Sequence, residues 1–357
     1  MKERLGIGIT MGDPAGIGPE LCLRALQEPV VLKQCTPIVF GDAGVLRRVA
    51  EAAKLSFSAG VVKLADWEKN PPAEEPIVVD CGAIESGSVL PGMISAECGG
   101  ASFNYIKASI GAAVANRISG VVTAPVHKEA LRLADVPYPG HTEIFAALTG
   151  ADRVCMMLTS EALTVSMVTT HIGYASVPKK ISPQRVQDVI ELTDEAMKWL
   201  KSRTPRLGIC GLNPHAGEHG LFGEREEENL ITPAIERARA EGIQIEGPLP
   251  PDAAFVPHQR EKFDAIVCLY HDQGHIPFKM LAFDTGVNIT IGLPIIRTSV
   301  DHGTAFDIAW KGKADPQSLF KAIDLAVRLA KGKGGGPQCL VNQSRNSIRA
   351  AEPWMSR

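Results

Sequence analysis

Residues 9–20 read ITMGDPAGIGPE, between an apolar run at 5–9 and a second apolar stretch. The glycines and prolines resemble a phosphate-gripping turn, but their spacing fits neither of the common nucleotide loops. A dinucleotide fingerprint requires Gly-x-Gly-x-x-Gly, and a P-loop ends in Gly-Lys-Ser/Thr. Here Gly16-x-Gly18 lacks the third glycine, and Pro19 and Glu20 stand where the lysine and hydroxyl belong. The segment reads instead as a strand-to-helix turn at the head of an α/β unit. Pro19 suits the first helical position and Glu20 is favourable beside a helix N-terminus.

A chain of 357 residues, 45% hydrophobic, accommodates two domains or one large α/β unit with an ample core. Its formal charge of −3 gives no basic excess for nucleic acid and no charged tail for a membrane surface. No apolar run reaches the roughly 18 residues of a spanning helix. Residues 1–4 lead straight into a strand-like run, with no secretory leader. The eight cysteines are scattered and form no Cys-x-x-Cys pair; Cys210 and Cys268 sit inside apolar runs. This is the pattern of reduced core thiols in a cytoplasmic protein, not of a zinc-thiolate site.

Short β-like runs at 37–40, 77–79, 120–123, 163–169, 207–211, 265–270 and 287–291 alternate with amphipathic stretches at 101–116, 183–201, 232–241 and 316–330. Such alternation predicts an α/β fold with a largely parallel sheet. Residues 70–75, rich in Pro and Glu, read as a surface loop, and the tail beyond 331 as peripheral.

Three apolar runs end in histidine: His171, His215 and His271. Ligand groups gather where parallel strands give way to loops, and three neutral imidazoles could hold one divalent metal. None lies one helical turn from another, so convergence rests on the fold. His219 and His275 each follow a proposed ligand by four residues and could support it or be solvated. Gly140-His141-Thr142-Glu143 opens a helical stretch at 144–148, with Thr142 as N-cap and unpaired amides suited to an anion. Lys279 and Arg297 are candidate anion-binding cations near His271. Gly303, in the loop His302–Asp307 that follows Asp301, permits close backbone approach to a flat ligand.

Taken together, the stretches MGDPAGIGPE, TAPVHKEAL, GHTEIFAALTG, TTHIG, GLNPHAGEHGLFGEREE, GPLPPDAAF, YHDQGH and GVNITIGLPIIRTSVDHGTAFDIAWKGKAD resemble the 4-hydroxythreonine-4-phosphate dehydrogenase family of vitamin B6 biosynthesis. They run in family order from residue 11 to about residue 315. The resemblance implies a fold of the isocitrate/isopropylmalate dehydrogenase type, with two α/β/α domains, a cleft between them and no Rossmann fingerprint. Residues 1–125 plus 297–330 would form the cofactor side. Residues 126–296 would bind metal and substrate and form the dimer, with 331–357 as a C-terminal extension.

The resemblance further implies that His171, His215 and His271 are metal ligands, one of them supplied across a homodimer interface. His141, Thr142, Lys279, Asn288 and Arg297 match substrate-binding positions. Asp301, His302, Gly303, Thr304 and Asp307 match the cofactor region, and Asp252 and Asp272 fall in motifs lining the same cleft. The implied reaction is oxidation of a phosphorylated four-carbon hydroxy acid by NAD (or NADP), followed by decarboxylation, with one divalent ion. Three imidazoles suit zinc, cobalt or nickel, while related carboxylate sites take magnesium or manganese. Lys279 is the candidate proton carrier.

One segment departs from the vitamin B6 pattern: Gly274-His275-Ile276-Pro277 stands where those enzymes read Gly-Leu-Pro. This form resembles a second group acting on 4-phospho-D-threonate or 4-phospho-D-erythronate. A third relative acts on an aromatic cis-dihydrodiol dicarboxylate. Phosphate acyltransferases of a related fold, and a silent binding protein on this scaffold, are contrasting readings. The three strand-end histidines and the 302–307 loop oppose the first, and the filled site positions oppose the second.

Overall fold

A computed structural model describes residues 4–69, 75–283 and 285–332. Twelve strands hydrogen-bond into one sheet. In chain order they are β1 (Gly6–Thr10), β2 (Thr36–Gly41), β3 (Gly60–Lys63), β4 (Ile77–Asp80), β5 (Gly120–Thr123), β6 (Cys155–Thr159), β7 (Thr164–Met167), β8 (Leu207–Cys210), β9 (Ile245–Leu249), β10 (Ala265–Cys268), β11 (Val287–Ile291) and β12 (Arg297–Ser299). Their order across the sheet is β3-β4-β2-β1-β5-β12-β11-β6-β7-β10-β8-β9.

The expectation of a largely parallel sheet holds within two blocks. β3 to β12 are parallel throughout, as are β7 to β9. Between them, β12–β11, β11–β6 and β6–β7 are antiparallel. Three successive reversals make the second block run opposite to the first. β6 and β7 form a hairpin, so the run at 163–169 returns along its neighbour instead of crossing over a helix.

Every residue of β5, β7, β8 and β10 is buried. Continuous burial requires cover on both faces, as in α/β proteins. Helix Ala96–Val114 packs on β1, β2 and β5, and helix Pro183–Lys201 on β6, β7, β10 and β11. Helix Gln317–Gly332 lies across β5, β11 and β12 at the junction of the blocks, and so runs two residues into the expected extension. The rest of that extension, including Cys339, and most of the 70–75 loop lie outside the described residues. The seven described cysteines are free. No helix among the described residues is long and apolar enough to cross a membrane.

The opening turn follows β1 and leads into helix Gly18–Ala25, where Pro19 takes the second helical position, not the first. Gly12 has φ +72°, and a Cβ there would collide with the Pro125 carbonyl oxygen. The adjacent Asp13 N–H donates to that same carbonyl at 2.9 Å, joining the exits of β1 and β5. Gly12→Ala is therefore expected to cost about 2–4 kcal/mol, the sum of left-handed strain and overpacking. Urea denaturation of the variant beside the wild-type protein measures it.

Candidate active site

Arg297 begins β12 and is 3% exposed. Its Nη1 donates to Thr290 Oγ1 at 2.9 Å and its Nη2 to Thr123 Oγ1 at 2.8 Å. Its Nε is buried without a partner. Burial lowers its pKa to about 10, against a smaller opposing effect of the Glu143 carboxylate. These hydrogen bonds go to neutral hydroxyls, so the charge is buried without a paired anion. Such a group is costly unless an anion completes it, and a guanidinium fork suits phosphate or carboxylate.

Helix His141–Thr149 starts beside it, with Phe145 lying 5.6 Å from the guanidinium carbon. The N-cap is Gly140, not Thr142, and no side chain caps the helix. With Thr142 inside the first turn, the leading amides stay available to a ligand. His141 Nε2 is buried and unpartnered. Burial, with the charges of Arg297 and Lys128, holds the His141 pKa well below the usual imidazole range. Asn288 lies two residues before Thr290, on the same face of β11, and its Oδ1 is also buried without a partner. Arg297, His141 and Asn288 thus present three unmet hydrogen-bonding atoms in a positively charged setting.

Lys128 went unnoticed as a candidate. It is exposed at the start of helix Lys128–Leu133, just past β5, and its charge acts on both His141 and His171. The available signal was its position beyond a strand end, inside TAPVHKEAL.

β7 and β10 are adjacent and parallel, and this brings two of the three strand-end histidines together. The His171 and His271 ring centres are 5.6 Å apart. His271 Nδ1 lies 2.7 Å from Asp272 Oδ1, which leaves Nε2 for a ligand. His271 opens the helix His271–Ala282, so His275 stands one turn on and stacks on it at 3.6 Å, with ring planes 10° apart. His275 Nδ1 is 3.1 Å from the His271 carbonyl. Burial pushes the His275 pKa down to about 4 and also lowers that of His171. His275 is therefore a packed member of this cluster and not a solvated loop residue.

His215 does not join them. It begins a turn in which His215, Ala216, Gly217, Glu218 and His219 all have positive φ, a conformation costly for non-glycine residues. The buried Glu227 carboxylate holds the approach to that turn, accepting from the backbone of Leu212 at 2.9 Å and of Asn213 at 2.8 Å. The short helix Pro251–Ala254, which carries the exposed Asp252, packs on the same turn. Among the described residues no three His, Cys, Asp or Glu side chains stand close enough to hold a metal. Two imidazoles, one oriented by a carboxylate, suit a divalent ion chemically, but one chain supplies only part of a coordination sphere.

Lys279 and Asp301 link this cluster to the last loop through an ion pair of 3.2 Å. Lys279 is half exposed, not desolvated as expected of a proton carrier. In the loop, His302 Nδ1 lies 3.1 Å from the Gly303 carbonyl and Nε2 is buried without a partner. A Cβ at Gly303 would meet nothing within 4 Å, so nothing in the protein itself requires glycine there. The Thr304 carbonyl accepts from the Ile17 N–H at 3.1 Å, and that of Asp307 from Lys311 Nζ at 2.7 Å.

Comparison with known proteins adds an independent line. The family described as pyridoxal phosphate biosynthetic protein PdxA matches residues 33–326. The D-threonate 4-phosphate dehydrogenase of Cupriavidus necator is 46% identical over 327 residues, covering 91% of this chain and 97% of that protein. The 4-hydroxythreonine-4-phosphate dehydrogenase of Desulfosudis oleivorans is 47% identical over 346 residues, covering 94% and 99%. A crystal structure of 4-hydroxythreonine-4-phosphate dehydrogenase from Klebsiella pneumoniae aligns with a TM-score of 0.81 at 39% identity, over 91% of this chain and 99% of that one.

The buried guanidinium with its unmet Nε predicts anion binding that calorimetry with inorganic phosphate can read. Arg297→Met should weaken it about ten- to hundredfold, the loss of one charge-assisted hydrogen bond or a little more. Lys128→Met, at an exposed charge, should weaken it about three- to tenfold and flatten its salt dependence.

Proposed function

This chain belongs to the PdxA family and is a dehydrogenase acting on a CH–OH group; on that premise we propose that it oxidises and decarboxylates a phosphorylated four-carbon hydroxy acid of the 4-phosphohydroxy-L-threonine type. The observation that carries this reading is the buried Arg297 guanidinium, which has two neutral hydroxyl partners and no paired anion. Such a substrate carries two anionic groups at its ends and the reacting hydroxyl between them. Arg297, His141 and the amides at Thr142, with Lys128 at the rim, would bind one anionic end, and Asn288 Oδ1 would accept from a hydroxyl or ammonium of the substrate.

NAD, at the loop containing Asp301, His302, Gly303, Thr304 and Asp307, would accept the hydride, and a divalent ion held by His171, His271 and the partner subunit's His215 would supply Lewis acidity. Oxidation of the carbon bearing the hydroxyl gives a β-keto acid. Loss of carbon dioxide then leaves its electron pair on the neighbouring carbon, which must take up a proton. Lys279 would hold that proton at Nζ, with Asp301 fixing the ammonium. For 4-phosphohydroxy-L-threonine the products are 3-amino-2-oxopropyl phosphate and carbon dioxide.

A second reading, 4-phospho-D-threonate or 4-phospho-D-erythronate oxidised to dihydroxyacetone phosphate and carbon dioxide, is favoured by one observation. His275, where the sequence departs from the vitamin B6 pattern, lies stacked against His271 inside the site. A head-to-head assay with NAD, zinc or manganese, and each substrate, following reduced cofactor by absorbance, decides between them. The proposed reading expects turnover with at least one. Lys279→Met should lower kcat about a hundredfold or more, within the range of general acid–base effects, while changing substrate KM far less. Unchanged turnover in that variant would remove Lys279 from proton transfer.

The surface supports reading the protein as a homodimer. Ile276, Met280 and Phe283 form an exposed stripe along the helix that begins with His271, and Met280 is 82% exposed. Leu221 and Phe222 are exposed beside His215. Apolar surface thus flanks both elements that carry the proposed ligands, which supports a site shared between subunits. The antiparallel seam between β12 and β7 likewise supports reading 1–125 plus 297–330 and 126–296 as two domains. Met280→Glu is expected to shift the protein toward monomer in light scattering and to abolish tight binding of a single zinc ion per chain in calorimetry.

A further inference from the structure

The opening turn and the last loop, separated by nearly the whole chain, are built together. Ile17 N–H donates to the Thr304 carbonyl at 3.1 Å, Trp310 Nε1–H to the Pro14 carbonyl at 3.0 Å, and Gly92 N–H to the Ala15 carbonyl at 2.8 Å. A Cβ on Gly16 would lie 3.0 Å from the Thr304 oxygen, so the backbones approach closely. The loop itself is under strain, with Ala305 at φ +42°. A left-handed alanine persists only where its surroundings impose it.

The remaining contact is made by a ring. His127, the residue before Lys128, stacks on Phe306 with centres 5.0 Å apart and planes at 18°. Its Nδ1 is buried and makes no hydrogen bond. Its position is fixed from below by the turn: Asp13, fully buried, accepts from the Ala15 N–H at 2.9 Å and faces His127. What the ring offers Phe306 is a flat surface.

We propose that His127 is a positioning residue for the dinucleotide: its half-buried ring is the floor that holds Phe306, and with it the 302–307 loop, in the shape that accepts the cofactor. This rests on the reading of that loop as the dinucleotide site. A stacking role makes a specific demand on chemistry. Another flat ring should serve, and a small side chain should not.

The test is titration of the full-length protein with NADH, read by quenching of tryptophan fluorescence, since Trp310 lies on the same segment. His127→Ala should weaken NADH binding about tenfold and raise KM for NAD to a similar extent, with substrate KM and kcat within about threefold of wild type. His127→Phe should restore NADH affinity to within about threefold. Phe306→Leu, which removes the stack from the other side, should reproduce the alanine loss and guards against a His127 variant that fails to fold. NADH affinity unchanged in His127→Ala and Phe306→Leu, or equally weak in His127→Phe and His127→Ala, would overturn the proposal while leaving the loop's role intact. A wild-type protein that does not bind NADH would overturn the dinucleotide reading and this proposal with it.

Discussion

The site depends on a guanidinium placed where water cannot reach it and no carboxylate hydrogen-bonds to it. Arg297 is held by Thr290 from β11 and Thr123 from β5, the strands on either side of β12. An arginine in that position is tolerated only because the sheet supplies hydroxyls at the right height, and it keeps one donor unmet. Burial, reinforced by the charge of Arg297, holds the His141 pKa well below the usual imidazole range, so this imidazole can accept or donate a hydrogen bond without adding to the local positive charge.

Much of the architecture was legible in the sequence where a signal is local. Helix Pro183–Lys201 and strands β5 and β11 match their expected spans to the residue, because Ser182 caps the one and turn residues bound the others. β3 and β9 escaped notice as edge strands, where burial is weak, β12 because it spans three residues, and β6 because it pairs in a hairpin with the run that follows it. Helix His271–Ala282 was hidden by Gly274 and Pro277, both poor helix formers. Packing on β7 and β10 overrides that propensity.

The candidate site was legible as a set of residues but not as an arrangement. Spacing marked His171, His215 and His271 equally, yet strand adjacency joins only His171 and His271 within a chain. β8 is also parallel to β10, but the left-handed turn after it carries His215 elsewhere. Thr142 looked like a cap because hydroxyls usually are; the cap is Gly140, two residues earlier, and it leaves the first amides bare. Lys128 was overlooked because a lone lysine at a helix start looks like an ordinary solvated charge.

The single sheet has a mechanical consequence. Two domains joined by loops can swing about a hinge, but these halves are stitched by backbone hydrogen bonds through β12, β11, β6 and β7. Bending sharply at any one of these pairings would break its ladder. Relative motion of the halves is therefore spread as a small change of twist over several strand pairs. Arg297 and Asn288 sit on those strands, so the torsional set of the sheet and the alignment of the substrate-facing atoms are the same coordinate.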